Sequence, residues 1–412
     1  MRFDFKKIIL IIIFILIAIG FGFGLYYLFF RPISKEPLPE AGKEIVSPGI
    51  LPPAGEGTGG IIVVPPSGES PEITPSLPVA SDIAAGGETL VKSVIKEVVS
   101  SPILNKNTGE VFYYDKDKNE FYKINADGKR ELLSERKFYQ VENINWSPDK
   151  NKAILEYPDG NKILYDFEKD KQITLNKNWY DFSFSSSGNE IGLKIDSDDP
   201  NNRWLAKANA DGTGLKMIEP LGENAQKVQV AWSPNNQVVA FSATGEDMGF
   251  DKQEILFIGF YGENFKSIVV EGRGFEGKWS PQGNKIIYSV WNADSGYRPT
   301  LWAVEAEGDN IGRGRKELDL QTWADKCVFS SDNKNIYCAA PKYLPEGAGL
   351  APEIADRGDN FYKINLDRGV KTFLAEPSVG EYNVSDIFLS AEEDFLYFTD
   401  QNTGQLNKIQ LK

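Results

Sequence analysis

The chain has 412 residues, 45 Lys+Arg against 59 Asp+Glu, a formal net charge of −14, 2 Cys and no His. Without histidine there is no Ser-His-Asp or Cys-His relay, no His zinc site and no H-E-x-x-H motif, and two cysteines cannot make a Cys₄ metal site. The acidic balance argues against a nucleic-acid groove, which needs a basic footprint. What remains is a binding or scaffolding protein, or an enzyme that works with carboxylates alone.

At the N-terminus, residues 1–7 carry Arg2, Lys6 and Lys7, and Ile8 to Phe30 follow as 23 uncharged, mostly Ile, Leu and Phe residues. As a helix this run rises roughly 35 Å, enough to cross a ~30 Å hydrocarbon layer with some tilt. The basic flank predicts a cytoplasmic tail at 1–7, a single-pass anchor at 8–30 and an extracytoplasmic remainder. A cleaved signal peptide has a shorter apolar core and a small-residue cleavage site, so an uncleaved signal anchor fits better. Residues 31–88 then change composition. Pro32 to Glu88 hold 11 Pro and 9 Gly, and no aromatic residue occurs between Phe30 and Phe112. Such a stretch buries too little apolar surface to offset its ordering entropy, and is expected to be a disordered linker. Its reach is roughly 40 Å as a coil and up to ~175 Å as polyproline helix.

Residues 89–412 repeat. Trp146-Ser147-Pro148-Asp149, Trp232-Ser233-Pro234-Asn235 and Trp279-Ser280-Pro281-Gln282 are the clear copies. Weaker ones start at Phe184, Phe329 and Phe388, and a degenerate first copy lies near Leu104. A short apolar strand follows each, as in Ala153–Tyr157, Val238–Phe241 and Lys285–Tyr288. Further strands and turns complete each unit, and Phe121-Tyr122-Lys123-Ile124-Asn125 recurs letter for letter at 361–365. Four strands per unit at a spacing of 38 to 59 residues predict an all-β β-propeller, with seven blades and six or eight as alternatives. Ser-Pro-Asp suits a type I turn between the inner two strands, and the aromatic residue before it supplies apolar area where blades pack.

The Trp-Ser-Pro-Asp/Asn element with its apolar strand and Asp-Gly turn resembles the WD40-like repeat of TolB-type propellers. It is also similar to the repeat in the N-terminal propeller of dipeptidyl-peptidase IV relatives. Classical WD40 repeats match less well, because their Gly-His element needs the missing His. The resemblance covers roughly residues 100–412 and implies the propeller only. Where TolB-type proteins carry an α/β domain an anchor and tether are expected here, and no counterpart of the peptidases' hydrolase domain is expected, so no activity is carried over.

The last unit supplies three strands, near 385–390, 395–399 and 406–411, and Leu90–Val99 is placed to close the ring as its fourth. Cys327 and Cys338 flank the turn at 330–335 and face each other across a hairpin. A disulfide is expected outside the cytoplasm, with two small buried thiols as the alternative. The segment Asp115-Lys116-Asp117-Lys118-Asn119 begins like a calcium loop, but Glu120 stands where glycine is needed, so it reads as a hairpin turn. Asp196, Asp198 and Asp199 suggest a solvated charge run. No metal and no cofactor is expected.

Connections between second and third strands lengthen along the chain, running 197–203, 243–253, 291–299 and 340–360. Connections from a fourth strand to the next unit emerge on the same face. They carry Tyr139, Trp179, Tyr180, Phe275, Trp323 and Tyr382, with Glu142, Asp181, Glu276, Asp325 and Asp386 close behind. An aromatic and acidic rim suits a basic or extended peptide of a protein partner in the envelope. The alternative is that these rings wedge between blades as core. Three functions therefore stand: a membrane-tethered, extracytoplasmic interaction scaffold, which is preferred; a carbohydrate- or cell-wall-binding propeller; and a His-free hydrolase, for which no carboxylate pair stands out.

Overall fold

Each Trp-Ser-Pro-Asp element folds as a tight connection between the first and second strands of a blade. The amide of Lys150 donates to the carbonyl of Ser147 at 3.0 Å, and Asn236 and Gly283 repeat the bond to Ser233 and Ser280 at 2.9 Å. Pro148, Pro234 and Pro281 thus stand second in a type I turn, where their fixed φ is already correct. The fourth turn residue is left-handed in six units: Lys150, Gly188, Asn236, Gly283, Asn333 and Glu393 have φ between 55° and 73°. The connection is a four-residue loop, 148–151 in the first clear copy, built on a type I turn and a left-handed residue and closed by the Ser147 amide donating to the Lys152 carbonyl at 2.9 Å. The serine has a second task. Its hydroxyl accepts the amide that opens the next strand, at 3.0 Å from Lys152, 2.9 Å from Val238 and 3.2 Å from Lys285. Ser185, Ser330 and Ser390 do the same for Glu190, Asn335 and Phe395.

The computed structural model describes residues 80–412 apart from Ala126, Asp247, Phe250, Asn264, Asp356 and Arg357. The expected tail, membrane anchor and most of the linker lie outside these residues. Among the described residues no helix is long and apolar enough to cross a membrane. Seven antiparallel sheets follow one another as blades. Blade 1 begins with Val99–Leu104, blade 2 with Asn143–Trp146, blade 3 with Trp179–Phe184 and blade 4 with Val228–Val230. Blades 5, 6 and 7 begin with Arg273–Trp279, Cys327–Phe329 and Val384–Leu389. The first strands of neighbouring blades contact one another around the centre. The second and third strands are covered on both faces, so strands such as Val111–Asp115 and Lys162–Asp166 are buried throughout.

Seven apolar clusters occupy the seven blade-to-blade seams. Phe112, Phe121 and Tyr165 meet Trp146 between blades 1 and 2, for example, and Leu406 meets Val99 and Tyr113 between blades 7 and 1. The repeat tryptophans reach into the preceding blade. Trp146 packs edge-on to Phe121 at 5.5 Å and donates its indole N–H to the Ser101 carbonyl at 3.0 Å. Trp279 stacks on Phe241 at 5.0 Å and donates to the Ala231 carbonyl at 2.9 Å. Trp232 packs on Phe260 at 4.2 Å and bonds Asn236 instead.

Closure follows the expected route, with two corrections. Lys92–Ile95 pairs antiparallel with Leu406–Gln410 as the outer strand of blade 7. The expected linker boundary at residue 88 is too late. Gly87–Thr89 lies parallel to Val370–Pro377 as a fifth strand of blade 6, and Ile83 bridges Gln410. Small residues make this docking possible: Ala84 is buried beside Ala375 and Ile409, a contact that composition averaged over the linker conceals. The seventh repeat is anchored by Leu389 rather than Phe388. Leu389 pairs with Leu396 as Trp146 does with Ala153, and Phe388 stacks on Tyr397 at 5.2 Å. Cys327 and Cys338 are directly opposed and joined, with Cα atoms 4.1 Å apart. Asp115 caps the 115–119 turn, accepting the amides of Asp117 and Lys118 at 3.1 and 3.0 Å. Asp199 likewise caps the short helix Pro200–Asn202.

Candidate functional site

The acidic half of the expected rim comes together, whereas the aromatic half largely does not. Glu276 lies within the first strand of blade 5, Asp325 in the short turn Ala324–Lys326 before that of blade 6 and Asp386 within that of blade 7, and the charges of all three act on Lys278. The Lys278 ammonium donates to the carbonyl oxygens of Cys327 at 2.5 Å and Asp325 at 3.4 Å. Enclosure by protein pushes its pKa down, against the pull of the Asp325, Asp386 and Glu276 carboxylates. Burial pushes Glu276 above the ordinary carboxylate range, Asp325 adds to the shift and Lys278 opposes it. Asp386 is raised by burial as well, with the Ser385 and Thr399 hydroxyls pulling the other way. Glu276, Asp325 and Asp386 are all solvent-exposed residues, so these carboxylates line an open mouth whose walls only partly desolvate them.

Across the ring a second acidic group forms on blades 2 and 3. Asp181 is 2.8 Å from the Lys194 ammonium, which also donates to the carbonyls of Ala225 and Val228. Glu156 is raised by burial, and the nearby charges of Asp181 and Glu142 push it further.

A cleft of about 450 Å³ opens beside the first group, lined by Glu276, Asp325, Lys326, Trp291, Trp323 and Asn383. Its wall is built from the long connections of blades 5 and 6. Arg298 donates to the Leu344 carbonyl at 2.8 Å, and the amides of Gly347 and Gly349 donate to Gly296 and Tyr297 at 2.9 and 2.7 Å. Leu344, Ala348 and Ala355 pack under Trp323. Lys326 forms part of the lining and is held by Asp359 and Asn383.

The remaining rings serve packing, as the alternative expectation had it. Trp179 is buried with Phe182 and Leu175, Phe275 packs on Phe241 and Tyr288, and Tyr382 lies edge-on to Phe398 at 5.5 Å. A ring at the start of an inner strand faces the seam to its neighbour, and burial there outweighs exposure at the rim. Tyr180 is half-buried beneath the Lys194 ammonium, and Tyr139 alone of the six is largely exposed. Sequence reasoning missed Trp291, Asn383, Lys326 and Lys278. A signal for the last existed, since its repeat position holds uncharged Asn145, Ser183, Ala231, Val328 and Phe388 in other blades. Among the described residues no group of three or more Asp, Glu, His or Cys could hold a metal ion.

No family model and no curated protein matches this chain. Solved structures do. An oligogalacturonate lyase in complex with manganese is 12% identical with a TM-score of 0.55, covering 77% of this chain and 90% of that one. The oligogalacturonate lyase of Vibrio parahaemolyticus is 12% identical at a TM-score of 0.53, covering 78% and 91%. The Cps50 (Swd1) β-propeller domain of Myceliophteria thermophila is 9% identical at 0.54, covering 78% of this chain and 100% of that one. At such identities the likeness establishes the propeller fold alone.

Proposed function

We propose that this chain is a binding propeller, held to the membrane by residues 8–30 and facing the extracytoplasmic side, whose central mouth takes a basic, extended segment of a protein partner. The observation that carries this is that Glu276 and Asp325 line one cleft, with Asp386 near enough for its charge to act on the same Lys278. Lys326 is already taken up by Asp359, so three carboxylates against Lys278 leave the mouth short of positive charge, and two of them are raised by burial. A lysine or arginine side chain entering the adjoining cleft would supply that charge, with Trp291 and Trp323 covering its methylenes. Full-length protein in lipid nanodiscs should bind a Lys/Arg-rich peptide and reject an acidic peptide of the same length. The pair Glu276→Gln with Asp325→Asn should weaken this binding by about tenfold or more, and added salt should weaken the wild type. Equal binding by the double variant, or none by the wild type, overturns the reading.

A carboxylate-only hydrolase is the second reading. Its support is Glu276, whose raised pKa beside Asp325 in a cleft is the arrangement a general acid requires. Oligogalacturonate lyase, a structure of the same fold, is an enzyme. Turnover of an oligosaccharide that Glu276→Gln abolishes would favour this reading over the first.

A further inference from the structure

We propose that a corner of blade 2, formed by Tyr139 and Tyr157, is a subsite for a neutral saccharide. It is separate from the acidic mouth and does not depend on the reading of that mouth. Tyr139 is 64% exposed, the most open of the six rings on this face. It stands over a recess of about 500 Å³ shared with Tyr157, Gln140, Asn161 and Gln172.

Both sides of the recess are fixed in place. On one side the Phe138 amide donates to the Asn119 carbonyl at 2.8 Å and the Glu142 amide to the Glu156 carbonyl at 2.9 Å, bracketing Tyr139 and Gln140. The backbone of Gln140 itself is left-handed, with φ 60°. On the other side, 157–161 form a tight turn in which Gly160 donates to the Tyr157 carbonyl at 2.9 Å and the Tyr157 amide to the Asn161 carbonyl at 3.0 Å. The exposed ring is therefore carried on a preorganised backbone, so a ligand has only the side chain left to order.

The chemistry on offer is that of a sugar. A pyranose has an apolar face of C–H bonds and a rim of hydroxyls that both donate and accept. Tyrosine rings cover the first, and side-chain amides, which also donate and accept, match the second. Gln140 and Gln172 both line the recess and are exposed, so their amides are open to a ligand. The one charged lining residue is Asp159, which disfavours uronates and other anionic sugars.

The test uses full-length protein in nanodiscs, titrated by saturation-transfer NMR with cellotetraose, maltotetraose, the tetramer of N-acetylglucosamine and tetragalacturonate. At least one neutral tetrasaccharide should bind, and Tyr139→Ala and Gln172→Ala should each weaken it by about tenfold. Both side chains are exposed, so Tm should not move. The Glu276→Gln/Asp325→Asn pair should leave saccharide binding unchanged, which separates this site from the mouth. Absence of binding by all three neutral probes, binding that survives both blade 2 variants, or equal binding of tetragalacturonate overturns the proposal.

Discussion

The ammonium of Lys326 lies 2.9 Å from Oδ2 and 3.2 Å from Oδ1 of Asp359, and both side chains are buried. The pair does more than neutralise itself. Asp359 also accepts the Val384 amide at 2.7 Å, and Lys326 donates to Asn383 at 3.0 Å, so one ion pair ties blade 6 to the entry of blade 7 beneath the cleft. Removing one partner leaves a charge with no compensation in the interior. Lys326→Met or Asp359→Asn should each cost about 3–5 kcal/mol in urea unfolding. The double variant Lys326→Met/Asp359→Leu should cost less than the two single losses combined. Additive losses would mean that the pair does not act as a unit.

How much of this was legible in the sequence follows from the period of the signal. Trp146, Trp232 and Trp279 with their Ser-Pro pairs repeat locally, so the hairpins, the blades and the register of Cys327 against Cys338 could all be read from spacing. Three things resisted. The docking of 81–89 depends on small residues such as Ala84 meeting a distant strand, and no local pattern records it. The cleft unites Trp291, Trp323 and Asn383, residues separated by some thirty to sixty positions whose only link is the ring. Whether Trp179 faces solvent or a seam is likewise decided by the neighbouring blade, because one rim position serves both ends.

The turn serines give a second test. Ser233 is fully buried, and its hydroxyl accepts the amides of Val238 at 2.9 Å and Gln237 at 3.0 Å. Ser233→Ala should leave these donors short and cost about 1–3 kcal/mol. The exposed Ser186, one position along a sister turn, should tolerate alanine within about 0.5 kcal/mol. Chemical denaturation of both variants decides it.

Ring closure is testable by truncation. A chain beginning at Ala80 keeps both N-terminal strands, and its Tm should match that of the full chain. A chain beginning at Lys96 loses the strand paired with Leu406–Gln410 and the one beside Val370–Pro377, exposing two sheet edges. Its Tm should fall by roughly 10 °C or more. Equal melting of the two truncated chains would show that closure does not need these strands.

Cys327 and Cys338, eleven positions apart, close a short loop. On the chain-entropy picture the bond contributes no more than ~3 kcal/mol. Alkylation without reduction should leave the mass of the denatured protein unchanged, and reduction should add two labels. Reduction should also lower Tm by several degrees, because both sulfurs sit in the seam between blades 5 and 6. Two labels on unreduced protein would refute the bond.

The acidic mouth should carry a stability penalty with a definite pH dependence. Burial, assisted by Asp325, raises the Glu276 carboxyl above its ordinary value of 4.5, so the folded protein holds its proton more tightly than the unfolded chain. Such a group favours the folded state fully below its unfolded pKa, and that contribution is lost as pH rises through the folded pKa. Above the folded pKa the charged side chain weighs against folding. Glu276→Gln removes the charge but keeps the shape, and so should raise Tm slightly at pH 7.5. The gain should shrink as pH falls and vanish well below 4.5, where the glutamate is protonated in both states. Asp325→Asn should reproduce part of the effect by removing the neighbouring negative charge. Thermal melts of the wild type and both variants from pH 4 to 8 measure this directly. A Glu276→Gln variant less stable than the wild type at pH 7.5 would mean that Lys278 compensates the carboxylate fully, leaving the mouth with no unmet charge for a basic partner to satisfy.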